Sequence, residues 1–386
     1  MNAVAAWQRA CDRLRLLGER IAAPPFGADD AALSEGIEHL VDQSVLWLGW
    51  ETLHADPSRP AFHRHNDLVS QWGGPNADNV YRHCRIDPAR RYVVRGRMHS
   101  CDEFLLAVRA GFMHRETWGT LAQLTASERG IGPGDDFELY LGGEHPDAVE
   151  LPAGSIMVSV REYYFDWRAE EPAVFTIECL DPEPVSAPTA AQLERRLDES
   201  LNEIEESVSY WNSYLADNRV DRVDNSFTTD TVKLGKGLSV ARYEFCFWDL
   251  DDDQALIVEF DEPDARYWSV QLYMMHTFEL VDPFGAITSR NHTQSNVSAD
   301  GRIRMVLAPH DPGVPNWLDT AGRRDGLCTI RWFWPHSDTR PVITSRLVST
   351  EQVLEGWPTD EPLVEPADRA RELAERQAHL RWRFRT

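Results

Sequence analysis

The feature that most constrains this sequence is a long helical pattern between two stretches of short, β-rich runs. Between residues 193 and 215 apolar residues recur every three or four positions, and acidic residues occupy many of the positions between them. Thr189 and Gln192, just before this pattern, have the spacing of a capping box, which marks a helix start. The pattern therefore predicts one amphipathic helix that bridges two β-rich halves.

On both sides of this helix, short runs rich in β-branched and aromatic residues alternate with turn residues. This arrangement is typical of antiparallel sandwiches and barrels. Two helical patterns before residue 50 and one near the C-terminus predict flanking helices, and another helix is expected around residues 100–111. The runs that predict strands are 91–97, 136–141, 155–165 and 173–179 before the central helix, and 238–247, 255–260, 267–273, 302–307 and 327–333 after it.

We therefore predict an α+β protein with two antiparallel β-sandwich units, N-terminal helices, a central bridging helix and a C-terminal helix. A chain of 386 residues is long enough to fill two such cores. The predicted boundaries are 1–60 for the N-terminal helical segment, 61–185 for the first β-rich domain, 186–220 for the bridging helix, 221–345 for the second β-rich domain and 346–386 for the C-terminal helical segment.

Charge and cysteine content narrow the function classes. The formal net charge of −24 argues against nucleic acid and anionic membrane surfaces as partners, because both need a basic face. Apolar windows of about 18 residues are absent from the sequence, so no membrane span is expected. The six cysteines are scattered singly, which is typical of free thiols in a reducing compartment. We therefore expect a cytoplasmic protein, and homo-oligomer formation stays open.

The stretch 309–322 is the first candidate site. It combines turn residues with side chains that can carry protons, and loops on a rigid scaffold often hold binding and catalytic groups. His310 could act as acid or base with Asp311 or Asp319 as its orienting carboxylate, and Arg331 could stabilise charge or pair with Asp319. The structural alternatives are a turn capped by Asp311 and a loop anchored by Trp317.

Several segments together resemble the bacterial family catalogued as domain of unknown function 1214. The resemblance rests on 266–272, on Asp300-Gly301, on 310–322 with its Asp-Pro-Gly-x-Pro-Asn-Trp-Leu motif, and on Arg331-Trp332. Residues 72–81, with 161–163 and 166–167, resemble the N-terminal region of long members, which is similar in role to a companion domain, 1254. The resemblance implies two jelly-roll-like units and no agreed reaction. The residues expected to bind substrate are Asn291, His292, Asn316, Trp317, Trp332 and Tyr163.

Cofactor fingerprints are missing from the sequence. It contains no phosphate-binding loop, no dinucleotide-binding glycine pattern and no serine-hydrolase elbow. His63 and His65 match a metal-binding pattern weakly, so we expect neither a metal nor another cofactor. The high tryptophan count of 14 suits a small apolar or amphipathic ligand. We therefore expect cofactor-independent acid/base chemistry on a small, largely apolar molecule, with a non-catalytic binding or assembly protein as the alternative.

Overall fold

The computed structural model describes residues 3–67, 70–168, 171–184, 186–228, 236–359 and 361–385. Within these ranges the α-helices are α1 (Ala3–Ile21), α2 (Asp30–Leu48), α3 (Ala190–Arg219) and α4 (Pro366–Phe384). The strands are β1 (Asn79–Arg85), β2 (Tyr92–Arg97), β3 (Glu103–Gly111), β4 (Gly119–Thr125), β5 (Asp136–Leu141), β6 (Met157–Tyr163), β7 (Val174–Cys179), β8 (Ala241–Asp249), β9 (Gln254–Asp261), β10 (Ala265–Tyr273), β11 (Ser289–Asn291), β12 (Arg302–Ala308), β13 (Trp317–Asp319), β14 (Asp325–Pro335) and β15 (Ile343–Ser349).

The chain divides into two compact units. The first comprises Met1–Gly73, Asn79–Tyr164 and Glu170–Ser213. The second comprises Gly74–Asp78, Phe165–Ala169 and Tyr214–Thr386. The predicted α+β class, with antiparallel sandwich-like units and terminal helices, is confirmed. None of the described helices is long and apolar enough to cross a membrane.

The first unit contains two antiparallel sheets with strand orders β1-β6-β3-β4 and β5-β2-β7. Phe104 of β3 contacts Phe137 of β5 and Phe175 of β7, with ring centroids 5.1 and 5.3 Å away, so the two sheets pack face to face. Helices α1, α2 and α3 contribute apolar residues to a second core, which includes Trp47 and Trp50 of the α2 region.

The second unit is also a two-sheet sandwich. Its sheets have the orders β11-β10-β14-β8 and β13-β12-β9-β15, and all pairings are antiparallel except the parallel pair β12–β13. Alternate residues of β10 and β14, including Trp268, Ile330 and Trp332, point into the core between the sheets. The other residues of these two strands lie on the outer face of their sheet, the face turned away from that core.

The helix expected around residues 100–111 is wrong, because this segment is β3. Five consecutive residues of this strand, Phe104 to Val108, are completely buried. Such a continuous apolar run has no period of two, since both faces of the strand are covered, and it therefore cannot be distinguished from a buried helix by pattern. The predicted capping box is confirmed: the Gln192 N–H donates to Thr189 Oγ1 (3.2 Å), and the Thr189 N–H donates to Gln192 Oε1 (2.8 Å).

Candidate functional site

His310 and Asp311, which are adjacent in the chain, do not pair with each other and have separate partners. Asp311 accepts hydrogen bonds from the Gly313 N–H (2.9 Å) and from Nε of Arg369 in α4 (2.9 Å). His310 is exposed over 64% of its side chain, and its Nε2 lies 3.2 Å from Asp252 Oδ1. Asp311 therefore closes a turn and ties the loop to α4, while His310 lies at the surface.

The remaining predicted residues of this loop have anchoring contacts. Asn316 exchanges two hydrogen bonds with the backbone of Asn296 (2.7 and 2.8 Å). The buried Trp317 donates from Nε1 to the Ala308 carbonyl (2.9 Å). Asp319 accepts a hydrogen bond from the backbone N–H two residues later (2.7 Å), and burial raises the pKa of its carboxyl. These contacts fix the loop.

Arg331 and Trp332 are neighbours on β14 but have opposite environments. The Arg331 guanidinium, on the outer face of the sheet, donates to the Tyr273 hydroxyl and packs against the Tyr243 ring, 5.6 Å from its centroid. Trp332 lies in the core between the two sheets. Asp319, the expected partner of Arg331, belongs to β13 in the other sheet. Arg331 and the loop carboxylates are therefore separate features of this unit.

Asn291 and His292 lie with Arg331 on or beside this outer face. Asn291 Nδ2 donates to Asp78 Oδ1 (2.8 Å), and the His292 ring packs edge-on against Tyr267 with a centroid distance of 5.8 Å. Burial lowers the pKa of His292. The structure thus gathers three of the predicted residues, Asn291, His292 and Arg331, around β10 and β14.

A buried polar network covers the same face and was missed from the sequence. The Tyr267 hydroxyl donates to Asp78 Oδ2 (2.5 Å), and Gln271 Nε2 donates to Asn76 Oδ1 (2.6 Å). The network fastens the segment Gly74–Asp78 to the sheet. Its signal in the sequence is the alternation of hydrogen-bonding side chains along β10. The members of this polar network are Asn76, Asp78, Tyr267, Ser269, Gln271 and Tyr273.

The first unit has a second polar face, which contains the predicted residue Tyr163. It is the outer face of the sheet β1-β6-β3-β4, on the side away from β5-β2-β7. The register places Tyr81 opposite Arg161 and His83 opposite Ser159. We call this surface the cationic face, and its members are Asn79, Tyr81, His83, Ser159, Arg161, Tyr163 and Arg109.

The two arginines of the cationic face have no carboxylate partner among the described residues. Arg109 is only 7% exposed, and its Nε forms no hydrogen bond. Burial, together with the charge of Arg161, lowers the pKa of Arg109 to about 9, so it is still a cation at neutral pH. The Arg161 guanidinium lies over the Tyr81 ring, 5.6 Å from its centroid, and its buried NH1 has no hydrogen-bond partner. Two arginine side chains therefore lie on this face without an ion-pair partner among the described residues.

A row of four imidazole rings begins at the cationic face. The ring centroids of His83 and His65 are 4.1 Å apart, those of His65 and His63 4.9 Å, and those of His63 and His54 4.7 Å. Backbone hydrogen bonds of 2.7 Å in both directions join His63 to His83. Burial lowers the pKa of His63 to about 4 and holds those of His65 and His83 well below 6.5. The row is therefore neutral at pH 7.

Aromatic rings surround the buried part of this histidine row. His65 stacks on Phe112 with a centroid distance of 5.1 Å and contacts the edges of Trp47 and Trp50 at 5.7 and 5.1 Å. The cationic face thus adjoins a largely apolar, aromatic environment. Within the ranges that the structure describes, no group of three or more histidine, cysteine, aspartate or glutamate side chains is arranged to hold a metal ion.

Comparisons with known proteins found a family match within the second unit. Residues 249–337 match the family described as "Protein of unknown function (DUF1214)". That match does not reach residues 72–81, so their resemblance to the companion domain stays a prediction. A search of curated proteins found no match.

Two solved structures are similar to the chain. An uncharacterized protein from Burkholderia cenocepacia has 25% sequence identity and a TM-score of 0.81, over 90% of this chain and 98% of that one. A protein from Vibrio parahaemolyticus has 13% identity and a TM-score of 0.45, over 80% and 97% of the two chains. The Burkholderia protein therefore has a similar fold over nearly its whole length.

Proposed function

We propose that this chain, of which residues 249–337 match the DUF1214 family, is a cytoplasmic enzyme that performs cofactor-independent acid/base chemistry on a small, largely apolar molecule. We assign this activity to the cationic face of the first unit instead of to loop 309–322. The compartment is supported by six free cysteines, five of them buried. The net charge of −24 argues against nucleic acid and anionic membranes as partners.

The observation that carries the proposal is a buried, neutral His83 within electrostatic range of Arg109 and Arg161. Burial and, after it, the charges of Arg161 and Arg109 lower the pKa of this histidine, so its imidazole is neutral at pH 7 and keeps a lone pair for a proton. Guanidinium groups held in a water-poor site stabilise negative charge that develops on a substrate. A base beside fixed cations suits reactions that pass through an anionic state, such as elimination, hydration, isomerisation or hydrolysis.

The low pKa of His83 also makes it a weak base in the resting protein. A substrate that brings negative charge to Arg109 and Arg161 would offset their effect on the imidazole and raise its pKa toward the working pH. Base strength would then increase only when the site is filled. The neighbouring Asn79 and Ser159 side chains, which are 2% and 1% exposed and lack hydrogen-bond partners, can orient the bound molecule.

The alternative is a non-catalytic small-molecule-binding or assembly protein. It is supported by the second unit, where the polar network and the contacts of loop 309–322 give many of the predicted site residues a structural role. Under this alternative the cationic face would bind a molecule without changing it.

The test is a thermal-shift screen of a small-molecule library, followed by mass spectrometry of each binding compound after incubation with the protein. We expect at least one compound to be converted, and His83→Gln to reduce the rate by about 10²- to 10⁴-fold. His310→Ala is the matched control, because that exposed histidine should leave the rate unchanged. Full turnover by His83→Gln would contradict the assignment, and binding without conversion of any compound would favour the alternative.

A further inference from the structure

We propose that the molecule recognised by the cationic face carries a carboxylate group, which Arg109 and Arg161 bind together. The inference uses the proposed function only for the location of the site. It specifies the chemical class of the ligand, and it holds whether the protein converts that ligand or only binds it.

Two other arginines of the same unit, Arg82 and Arg85, have carboxylate partners, which Arg109 and Arg161 lack among the described residues. Arg82, 20% exposed at its side chain, is paired with Glu162, and Arg85 donates to Glu51 at 2.7 Å. An arginine keeps its charge in a protein, and a buried charge without a partner costs several kcal/mol. Arg109 is more deeply buried than these partly buried residues but faces no carboxylate among the described residues. A ligand carboxylate would supply the missing charge.

Glu103 is the one acidic residue that the register brings to the same side of β3. It is opposite Tyr163, and its Oε1 accepts hydrogen bonds from the backbone N–H groups of Phe104 (3.0 Å) and Ser127 (3.2 Å). Those contacts hold the carboxylate at the start of the strand. Glu103 is also not among the groups that shift the pKa of Arg109. Glu103 therefore does not offset the charge of Arg109.

The strand register shows how two arginines can share one group. Arg161 is opposite Leu105 on β3, and Arg109 lies four residues further along that strand. Measured along the strand, four residues span about 13 Å at roughly 3.3 Å per residue, and neighbouring strands lie about 4.8 Å apart. Two extended arginine side chains can reach toward each other over this span and enclose a small anion. Both guanidinium groups act on the His83 ring, so the shared region lies beside it.

Neutral hydrogen-bonding groups complete the same region. Within the part of the chain that the structure describes, Asn79 has two buried side-chain atoms without a hydrogen-bond partner, and Ser159 has one. An amide N–H and a hydroxyl can each donate to a carboxylate oxygen. Polar atoms that are this deeply buried normally have a hydrogen-bond partner, and leaving one unsatisfied is destabilising. These Asn79 and Ser159 atoms lie near the two arginines and are a separate indication that a polar ligand binds here.

The surroundings favour a carboxylate with an apolar body over a phosphate. A guanidinium matches the planar carboxylate with two parallel hydrogen bonds. The two arginine charges could neutralise either anion, so the preference for a carboxylate rests on the apolar surroundings and not on charge. The stacked His65 and Phe112 rings, with Trp47 and Trp50 at their edges, make the surroundings of His83 largely apolar. Aryl or alkyl carboxylates fit this description.

The test compares matched probes by isothermal titration calorimetry on the full chain. Phenylacetate and hexanoate should bind, while phenylacetamide, which has the same shape without the charge, should bind at least 10-fold more weakly. Arg161→Gln and Arg109→Gln should each weaken phenylacetate binding by about 10- to 100-fold, the loss of one charge-assisted contact. The control Arg95→Gln removes an exposed, paired arginine and should leave binding unchanged.

Equal binding of the acid and the amide would overturn the inference, as would unchanged binding in both arginine variants or tighter binding of inorganic phosphate than of either carboxylate. If a glutamine variant does not fold, Arg161→Lys and Arg161→Met supply the comparison: lysine should retain part of the affinity and methionine none. Conversion without carboxylate preference would refute only this inference. Carboxylate binding without conversion of any library compound would refute only the enzymatic part of the proposed function.

Discussion

Arg82 and Glu162 form a buried ion pair across β1 and β6, on the opposite face of the sheet from Arg161. Glu162 also accepts a hydrogen bond from the Tyr164 hydroxyl (2.6 Å), so its buried carboxylate is held by two partners. One pair of strands thus presents a neutralised arginine toward the sandwich core and an unpaired one on the outer face. This contrast separates a structural arginine from a ligand-binding one.

Glu162→Gln should destabilise the first unit by about 3–5 kcal/mol, because the substitution leaves Arg82 charged and buried without its partner. The measurement is the free energy of unfolding from urea denaturation. Glu178→Gln is the control, since its ion pair with Arg95 is solvent-exposed and should contribute nothing measurable. Equal stability of the two variants would show that the buried pair is not a structural contact.

Arg161→Met should leave the melting temperature unchanged or raise it when no ligand is present. The substitution removes a cation that has no carboxylate partner in the described chain, and replacing buried charge by an apolar side chain is often neutral or stabilising. Differential scanning calorimetry checks this. A clear fall in melting temperature would mean that Arg161 supports the fold.

Asp311→Ala should lower the unfolding free energy by about 1–3 kcal/mol, because it breaks the connection between the loop and Arg369, which is largely buried. His310→Ala should have no effect, since the adjacent histidine is exposed. Chemical denaturation of both variants gives the comparison. If His310→Ala is the more damaging of the two, the anchoring role of Asp311 is refuted.

Stability should fall as the pH drops below about 6.5, in part because of His63. Burial lowers the pKa of His63 to about 4 in the folded protein, whereas an unfolded histidine titrates near 6.5. Between pH 4 and pH 6.5 the unfolded chain binds more protons than the folded protein. The stabilising contribution of the neutral, buried His63 is therefore fully present above pH 6.5 and is lost as the pH falls toward 4. The loss amounts to at most about 3 kcal/mol.

The check is the pH dependence of the unfolding free energy in wild type and in His63→Gln. The variant should lose less stability between pH 7 and pH 4.5, since it cannot take up this proton on unfolding. Identical pH profiles for the two proteins would contradict the prediction. His310→Ala controls for the loss of a histidine at an exposed position.

Tyr267→Phe should cost about 1–3 kcal/mol, because Asp78 loses a buried hydrogen-bond donor. Tyr140→Phe is the control, since the exposed Tyr140 hydroxyl donates to Glu138 at the surface. Urea denaturation, followed by tryptophan fluorescence, measures both. A change no larger in Tyr267→Phe than in Tyr140→Phe would mean that the polar network is not needed for stability.

Alternation along single strands was enough to predict much of the fold. The runs at 136–141, 173–179 and 302–307 became β5, β7 and β12 almost unchanged, because their turns are marked by local residues. The helix α3 also follows from local periodicity and its capping box. The segment 100–111 failed because β3 is covered on both faces, which removes the alternation from which a strand is recognised.

The sequence alone predicted the fold class, the central helix and several candidate site residues, including Tyr163 and Arg331. Their roles were decided by the tertiary structure. Asp311 pairs with an arginine 58 residues away in α4, whereas Arg161 has no carboxylate partner among the residues that the structure describes, and no local pattern encodes such pairings. A side chain's function depends on whether burial leaves its charge satisfied, and only the packing of distant strands and helices settles that.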